Sequence, residues 1–135
     1  MKKWILTLVL SLSLPAFSHE GHDHDAPGAV QAPKGGVIKS LEESHVEVVS
    51  KGSDLKIYLY SKDLKPAEAS RFKIKLTAEL PRNKKKESLE FKAQGNMLET
   101  HFDAKGSHRY TLTVQIVDSA TGHDDALKFN VEPKK

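Results

Sequence analysis

Phe72-Lys73-Ile74-Lys75-Leu76-Thr77-Ala78-Glu79 alternates apolar and polar side chains without a break. A period of two places Phe72, Ile74, Leu76 and Ala78 on one face and the polar residues on the other, which is the pattern of a half-buried strand. The same period recurs on both sides of this stretch. Towards the N-terminus, Leu55, Ile57 and Leu59 share one face, with Tyr58 and Tyr60 on the other. Apolar residues on both faces predict a strand that is central or covered on both sides. Before it, His45–Val49 forms a strand with Val46 and Val48 on one face, and Val37-Ile38 opens a short strand that Leu41–Ser44 ends. Pro66 breaks the pattern within 63–70, so that segment reads as a crossing between sheets.

Towards the C-terminus, Leu89, Phe91 and Ala93 alternate as one strand, and Gln94-Gly95-Asn96 signals a tight hairpin. Leu98, Thr100 and Phe102 then face inward, leaving Glu99, His101 and Asp103 outward. Tyr110, Leu112, Val114 and Ile116 make the strongest strand, Ser119–Gly122 reads as a hairpin loop, and Leu127, Phe129 and Val131 close the sheet. Short alternating runs separated by turn residues, with no helical period, predict an all-β fold. The expectation is an immunoglobulin-like antiparallel β-sandwich of seven to eight strands over 36–135.

The first eighteen residues differ in kind. Lys2 and Lys3 precede the apolar run Trp4–Leu14, and Pro15-Ala16-Phe17-Ser18 offers small residues for cleavage after Ser18. This is the pattern of a secretory signal peptide over 1–18, with a core too short to span a bilayer comfortably. It predicts export to the periplasm or beyond and no membrane insertion after cleavage. Taking Lys2 and Lys3 away from the formal +3 leaves about +1, a balance that does not imply nucleic acid as a partner. The one dense basic run, Arg82, Lys84, Lys85 and Lys86, lies between two alternating segments and reads as a solvated hairpin loop.

Between leader and sandwich, residues 19–35 are rich in Ala, Pro and Gly, with Val30 the only bulky apolar residue. Such a segment buries too little surface to offset the entropy of ordering, so a flexible tail is expected until metal binds or the Gly35-Gly36 pair enters the first strand. The tail opens with His19-Glu20-Gly21-His22-Asp23-His24-Asp25, three imidazoles and three carboxylates in seven residues. Imidazole has a pKa of about 6.5, so most of these rings are neutral and available as ligands at physiological pH. His19, His22 and His24 are the expected metal ligands, supported by Asp23 and Asp25. Cleavage after Ser18 would add the α-amine of His19, a chelating partner for its own ring. With no Cys in the chain, the donor set suits Cu²⁺ or Zn²⁺ first, then Ni²⁺ or Co²⁺.

A second set of candidate ligands lies in the sandwich. His45 and Glu47 are two apart on a strand and point to its outer face, and His101 and Asp103 repeat the spacing. If those two strands are neighbours, the pairs make a surface His/carboxylate site; otherwise they are ordinary polar residues of solvated faces. No nucleophile–base–orienter set, phosphate loop, dinucleotide fingerprint or zinc-protease motif is readable. The residues point to a binding protein and not to an enzyme.

Ala32-Pro33-Lys34-Gly35-Gly36-Val37-Ile38, then His45-Val46-Glu47-Val48-Val49, then Leu55-Lys56-Ile57-Tyr58-Leu59-Tyr60 resembles a recurring bacterial pattern. It is similar to small periplasmic His-rich β-sandwich proteins associated with heavy-metal efflux systems of the resistance-nodulation-division type, and to N-terminal extensions of their adaptor proteins. The resemblance covers roughly residues 19–60. Those relatives often carry His where this chain has Lys34. The resemblance implies an accessory protein that captures or delivers divalent metal, with an efflux adaptor or another envelope protein as partner. The alternative is an envelope protein–protein interaction module in which an exposed strand edge takes an extended ligand and the His tail is incidental.

Overall fold

In a computed structural model, residues 30–83 and 85–133 are described. The leader 1–18 and the His-rich segment His19–Asp25 lie outside them. Nine strands form: β1 (Val37–Ser40), β2 (Ser44–Lys51), β3 (Asp54–Ser61), β4 (Phe72–Glu79), β5 (Lys86–Leu89), β6 (Lys92–Gln94), β7 (Met97–His101), β8 (Tyr110–Asp118) and β9 (Asp124–Val131). They make two antiparallel sheets, one ordered β1-β2-β3-β7-β6 and the other β5-β4-β8-β9. The only helical element among the described residues is a 3₁₀ turn, Ala69–Arg71. None of their helices is long and apolar enough to cross a membrane.

The alternating residues meet where the sheets face each other. Val46, Val48, Leu55, Ile57, Leu59 and Leu98 from the first sheet pack with Leu76, Ala78, Tyr110, Leu112, Val114, Ile116, Phe129 and Val131 from the second. All are under a tenth exposed. At roughly 1.5–3 kcal/mol for each large side chain fully buried, this face supplies the main drive to fold a chain without disulfides.

Residues 89–93, which alternate as one strand, divide into two. Leu89 pairs with Leu76 in the second sheet, whereas Lys92 pairs with Glu99 in the first. The chain changes sheets at Glu90-Phe91, where the Thr100 hydroxyl donates to the Glu90 carbonyl at 2.6 Å. Alternation continues through such a switch because both sheets present their apolar residues to the same core, so period alone does not reveal it. This division accounts for nine strands where seven or eight were expected.

The other crossing falls within 63–70, as Pro66 indicates. After β3 the chain turns back, Tyr60 bridges Pro66, and the Ala67 amide donates to the Leu59 carbonyl at 3.0 Å. The β6–β7 hairpin has Gly95 at its first central position with φ +58, a conformation with little penalty only for glycine. Its Asn96 amide nitrogen donates to the Leu59 carbonyl at 3.0 Å, tying the hairpin to the end of β3.

Candidate functional site

β3 lies third of five in its sheet, so its outer face carries a row of neighbours. Glu47 stands opposite Tyr58, and His45 opposite Tyr60, across the β2–β3 ladder. Opposed residues share a face, so these four side chains project together from the outside of the sandwich. An uncovered outer face would leave them in water. Instead Glu47 is fully buried and His45 is 7% exposed. The expectation of a surface His/Glu pair is therefore corrected: strand direction was read rightly, but the face is covered.

Over Glu47 the cover is the segment before β1. Ala32–Gly35 forms a turn closed by the Gly35 amide donating to the Ala32 carbonyl at 3.1 Å, with Gly35 at φ +73. The turn aims two amides at one carboxylate. Lys34 N–H donates to Glu47 Oε1 at 2.9 Å and also approaches Oε2 at 3.2 Å, while Gly36 N–H donates to Oε1 at 2.9 Å. Alternate amides converging around a left-handed residue form a small anion-binding concavity. From the other side Tyr60 Oη donates to Glu47 Oε2 at 2.9 Å. Burial, reinforced by that bond to Glu47, raises the Tyr60 hydroxyl pKa well above its ordinary value. Lys34 lies with Nζ 5.6 Å from the Tyr58 ring centroid, extending the cover over β3.

Gly36 is obligatory for this approach. A Cβ there would sit 2.3 Å from the Val48 carbonyl oxygen, so the strap can lie against β2 only without a side chain at that position. The part of the expected flexible tail that is described, Val30–Gly35, thus leads into a strap whose last turn is fastened. Three separate segments meet at this one place: the Ala32–Gly36 turn, Glu47 and Tyr60. Sequence reasoning took Glu47 as a candidate ligand and missed its partners. A Gly-Gly entry followed by an acidic residue on a strand and a Tyr on the next contained the signal.

His45 has no ring nitrogen to spare. Nδ1 lies 2.8 Å from Ser40 Oγ, and Nε2 lies 3.0 Å from the Lys62 carbonyl. A carbonyl only accepts, so Nε2 carries the proton and donates, joining β2 to the chain beyond β3. With Glu47 already accepting from three donors, the pair acts within the fold as a hydrogen-bonding anchor.

The condition for a joint site with His101 and Asp103 fails, because β3 separates β2 from β7. His101 lies opposite Asp54 and its Nδ1 is 3.1 Å from Asp54 Oδ1, both exposed. Asp103 Oδ1 accepts from the Lys105 amide at 2.8 Å in the turn after β7. At the far end, His123 Nδ1 approaches Glu42 Oε2 at 3.9 Å. Among the described residues there is no group of three or more His, Asp or Glu disposed to hold a metal ion. The preferred ligands His19, His22 and His24, with Asp23 and Asp25, lie outside those residues. Compared with protein-family models, curated proteins and solved structures, the chain gives no match.

Proposed function

We propose that this chain is a periplasmic protein that binds divalent transition metal through His19, His22 and His24, with Asp23 and Asp25 filling further positions. The observation that carries the reading is the density of donors: three imidazoles and three carboxylates in seven residues, immediately after a secretory leader. Imidazole and carboxylate without thiolate favour Cu²⁺ or Zn²⁺, with Ni²⁺ and Co²⁺ next. The fold supports the same division of labour. His45 and Glu47 spend their lone pairs and protons on internal hydrogen bonds. The strap enters β1 as a fastened turn, so the donor segment is joined to a rigid sandwich by few residues. Capture of metal and its delivery to a heavy-metal efflux system is the role that this arrangement and the resemblance to efflux-associated proteins favour.

The test is calorimetric titration of the chain from His19 onward with Cu²⁺, Zn²⁺ and Ni²⁺, beside a variant lacking residues 19–25. The intact chain binds and the shortened one loses the tight site. Equal affinity in both removes the tail from the function. Affinity no better than about 0.1 mM in both, about −5.5 kcal/mol, removes metal binding altogether. Glu47→Gln in the intact chain leaves metal affinity unchanged; a loss there would move the site onto the sandwich.

A further inference from the structure

Of the four described imidazoles, at His45, His101, His108 and His123, only that of His101 has a ring nitrogen within hydrogen-bond distance of a carboxylate. Its Nδ1 lies 3.1 Å from Oδ1 of Asp54, the residue opposite it across the β3–β7 ladder. A carboxylate only accepts, so Nδ1 of the neutral ring carries the proton and Nε2 keeps its lone pair. The His101 side chain is 65% exposed, and no hydrogen bond among the described residues engages Nε2. This is the arrangement in which a histidine ligates metal: a carboxylate on one nitrogen fixes tautomer and orientation, and the other nitrogen is free for the ion. The other rings differ. Both nitrogens of His45 are engaged inside the fold, and His123 stands 3.9 Å from Glu42, beyond a hydrogen bond.

The sandwich offers this ring no further ligand set. Asp54, Glu90 and Glu99 line the same shallow depression, but among the described residues they do not gather with His101 into a group able to hold an ion. Asp54 is engaged by Nδ1. Lys92 in the depression, Lys51 opposite Asp54 and Lys56 opposite Glu99 bring the local charge near balance, so recognition there rests on coordination and not on net charge. A single imidazole serves metal as the last ligand of a site supplied from elsewhere. The tail is such a source. His19, His22 and His24 bring three imidazoles, and a closed zinc site takes four ligands. The distance is also short. Lys34 is fastened at Glu47, and His101 lies on the same outer face, two strands across and four residues along. That is about 16 Å, at about 4.8 Å between strands and about 3.4 Å per residue. The chain from His24 to Lys34 spans up to about 34 Å.

We infer that His101 Nε2 is the closing ligand for a Zn²⁺ or Cu²⁺ ion carried by the tail, with Asp54 as its positioning residue, so that metal ties the tail to the outer face of β3 and β7. The inference rests on the tail reading above and adds to it a ligand from the sandwich. The ion then sits at one place on a rigid sheet, with an orienting carboxylate behind one of its ligands, which a bare chelating segment does not provide.

The experiment uses the chain from His19 onward. Nitrogen NMR of the metal-free chain finds the His101 ring proton on Nδ1, and Asp54→Ala redistributes it; a proton on Nε2 in the parent overturns the inference. Equimolar Cu²⁺ broadens the signals of Asp54 and His101 in the parent and leaves those of β4 and β8 sharp. In the variant lacking residues 19–25 the Asp54 and His101 signals stay sharp. In competition titration, Zn²⁺ affinity falls about tenfold in Asp54→Ala and at least as much in His101→Gln, while His108→Gln, an equal loss of imidazole, changes nothing. Binding that is lost with residues 19–25 but unchanged in His101→Gln overturns this inference and leaves the tail reading standing. Tight binding that survives removal of 19–25 overturns both, as does the absence of binding. Broadening spread evenly over the sandwich overturns the inference. So does metal-dependent dimerisation abolished by His101→Gln, which would set the tail against His101 of a second copy.

Discussion

Removing the Glu47 carboxylate is the most informative single perturbation, because three donors converge on it. Lys34 N–H, Gly36 N–H and Tyr60 Oη each lie 2.9 Å from one of its oxygens. A hydrogen bond to a charged group is worth about 1.5–3 kcal/mol net, and an orphaned buried donor costs about 1–3 kcal/mol. The two amides belong to a strap that can lift into water, whereas Tyr60, 3% exposed, cannot. Glu47→Ala should therefore lose about 3–4 kcal/mol, less than three full bonds, since the strap recovers hydration once it peels away. Glu47→Gln keeps an oxygen for both amides and lets Tyr60 accept from the new amide, so it loses charge assistance alone, about 1–2 kcal/mol. Tyr60→Phe loses one bond, about 2 kcal/mol.

Urea unfolding monitored by circular dichroism gives these values, and hydrogen exchange locates them. The Lys34 and Gly36 amides should exchange slowly in the parent and rapidly in Glu47→Ala, while amides of β4 and β8 change only with global stability. The double variant is the sharper check. Once the carboxylate is gone, Tyr60→Phe removes an orphaned hydroxyl and becomes neutral or stabilising. If Tyr60→Phe costs the same in both backgrounds, or if the two strap amides exchange fast in the parent, the latch reasoning is refuted.

Three further outcomes follow from other sites. Gly36→Ala places its Cβ 2.3 Å from the Val48 carbonyl oxygen and should cost about 2–3 kcal/mol in the same denaturation assay, with the strap amides losing protection first. Tyr110 is 2% exposed and its hydroxyl has no hydrogen-bond partner among the described groups, with burial pushing its pKa up to about 12. Tyr110→Phe should therefore be neutral or about 1 kcal/mol more stable near neutral pH, and should weaken the loss of stability that the parent shows between pH 10 and 12, as the unfolded state ionises first. Asp118 accepts from the Ala120 amide at 2.9 Å and from Arg71 at 3.0 Å, which together hold its pKa below the ordinary 3.8. Its stabilisation is present above that value and disappears as pH falls through the lower folded value, so Asp118→Asn should lower stability at neutral pH and flatten the acid limb of a denaturation-midpoint-against-pH profile.

Alternation of side chains is a local property, and it determined the strands, their inward faces and the two-sheet class. Phe72–Glu79, Tyr110–Ile116 and the Gly95 hairpin read correctly because each carries its own period or turn residue. The leader pattern and the donor-rich segment His19–Asp25 are equally local, and the proposed metal function rests on them. Tertiary structure decided what depends on which segments meet. It divided 89–93 at Glu90-Phe91, because pairing with β4 and with β7 is a choice between distant partners that leaves the period untouched. It placed β3 between β2 and β7, parting His45 from His101. It turned an outward Glu47 into a buried one, because burial of an outer face depends on a strap thirteen residues earlier at Lys34.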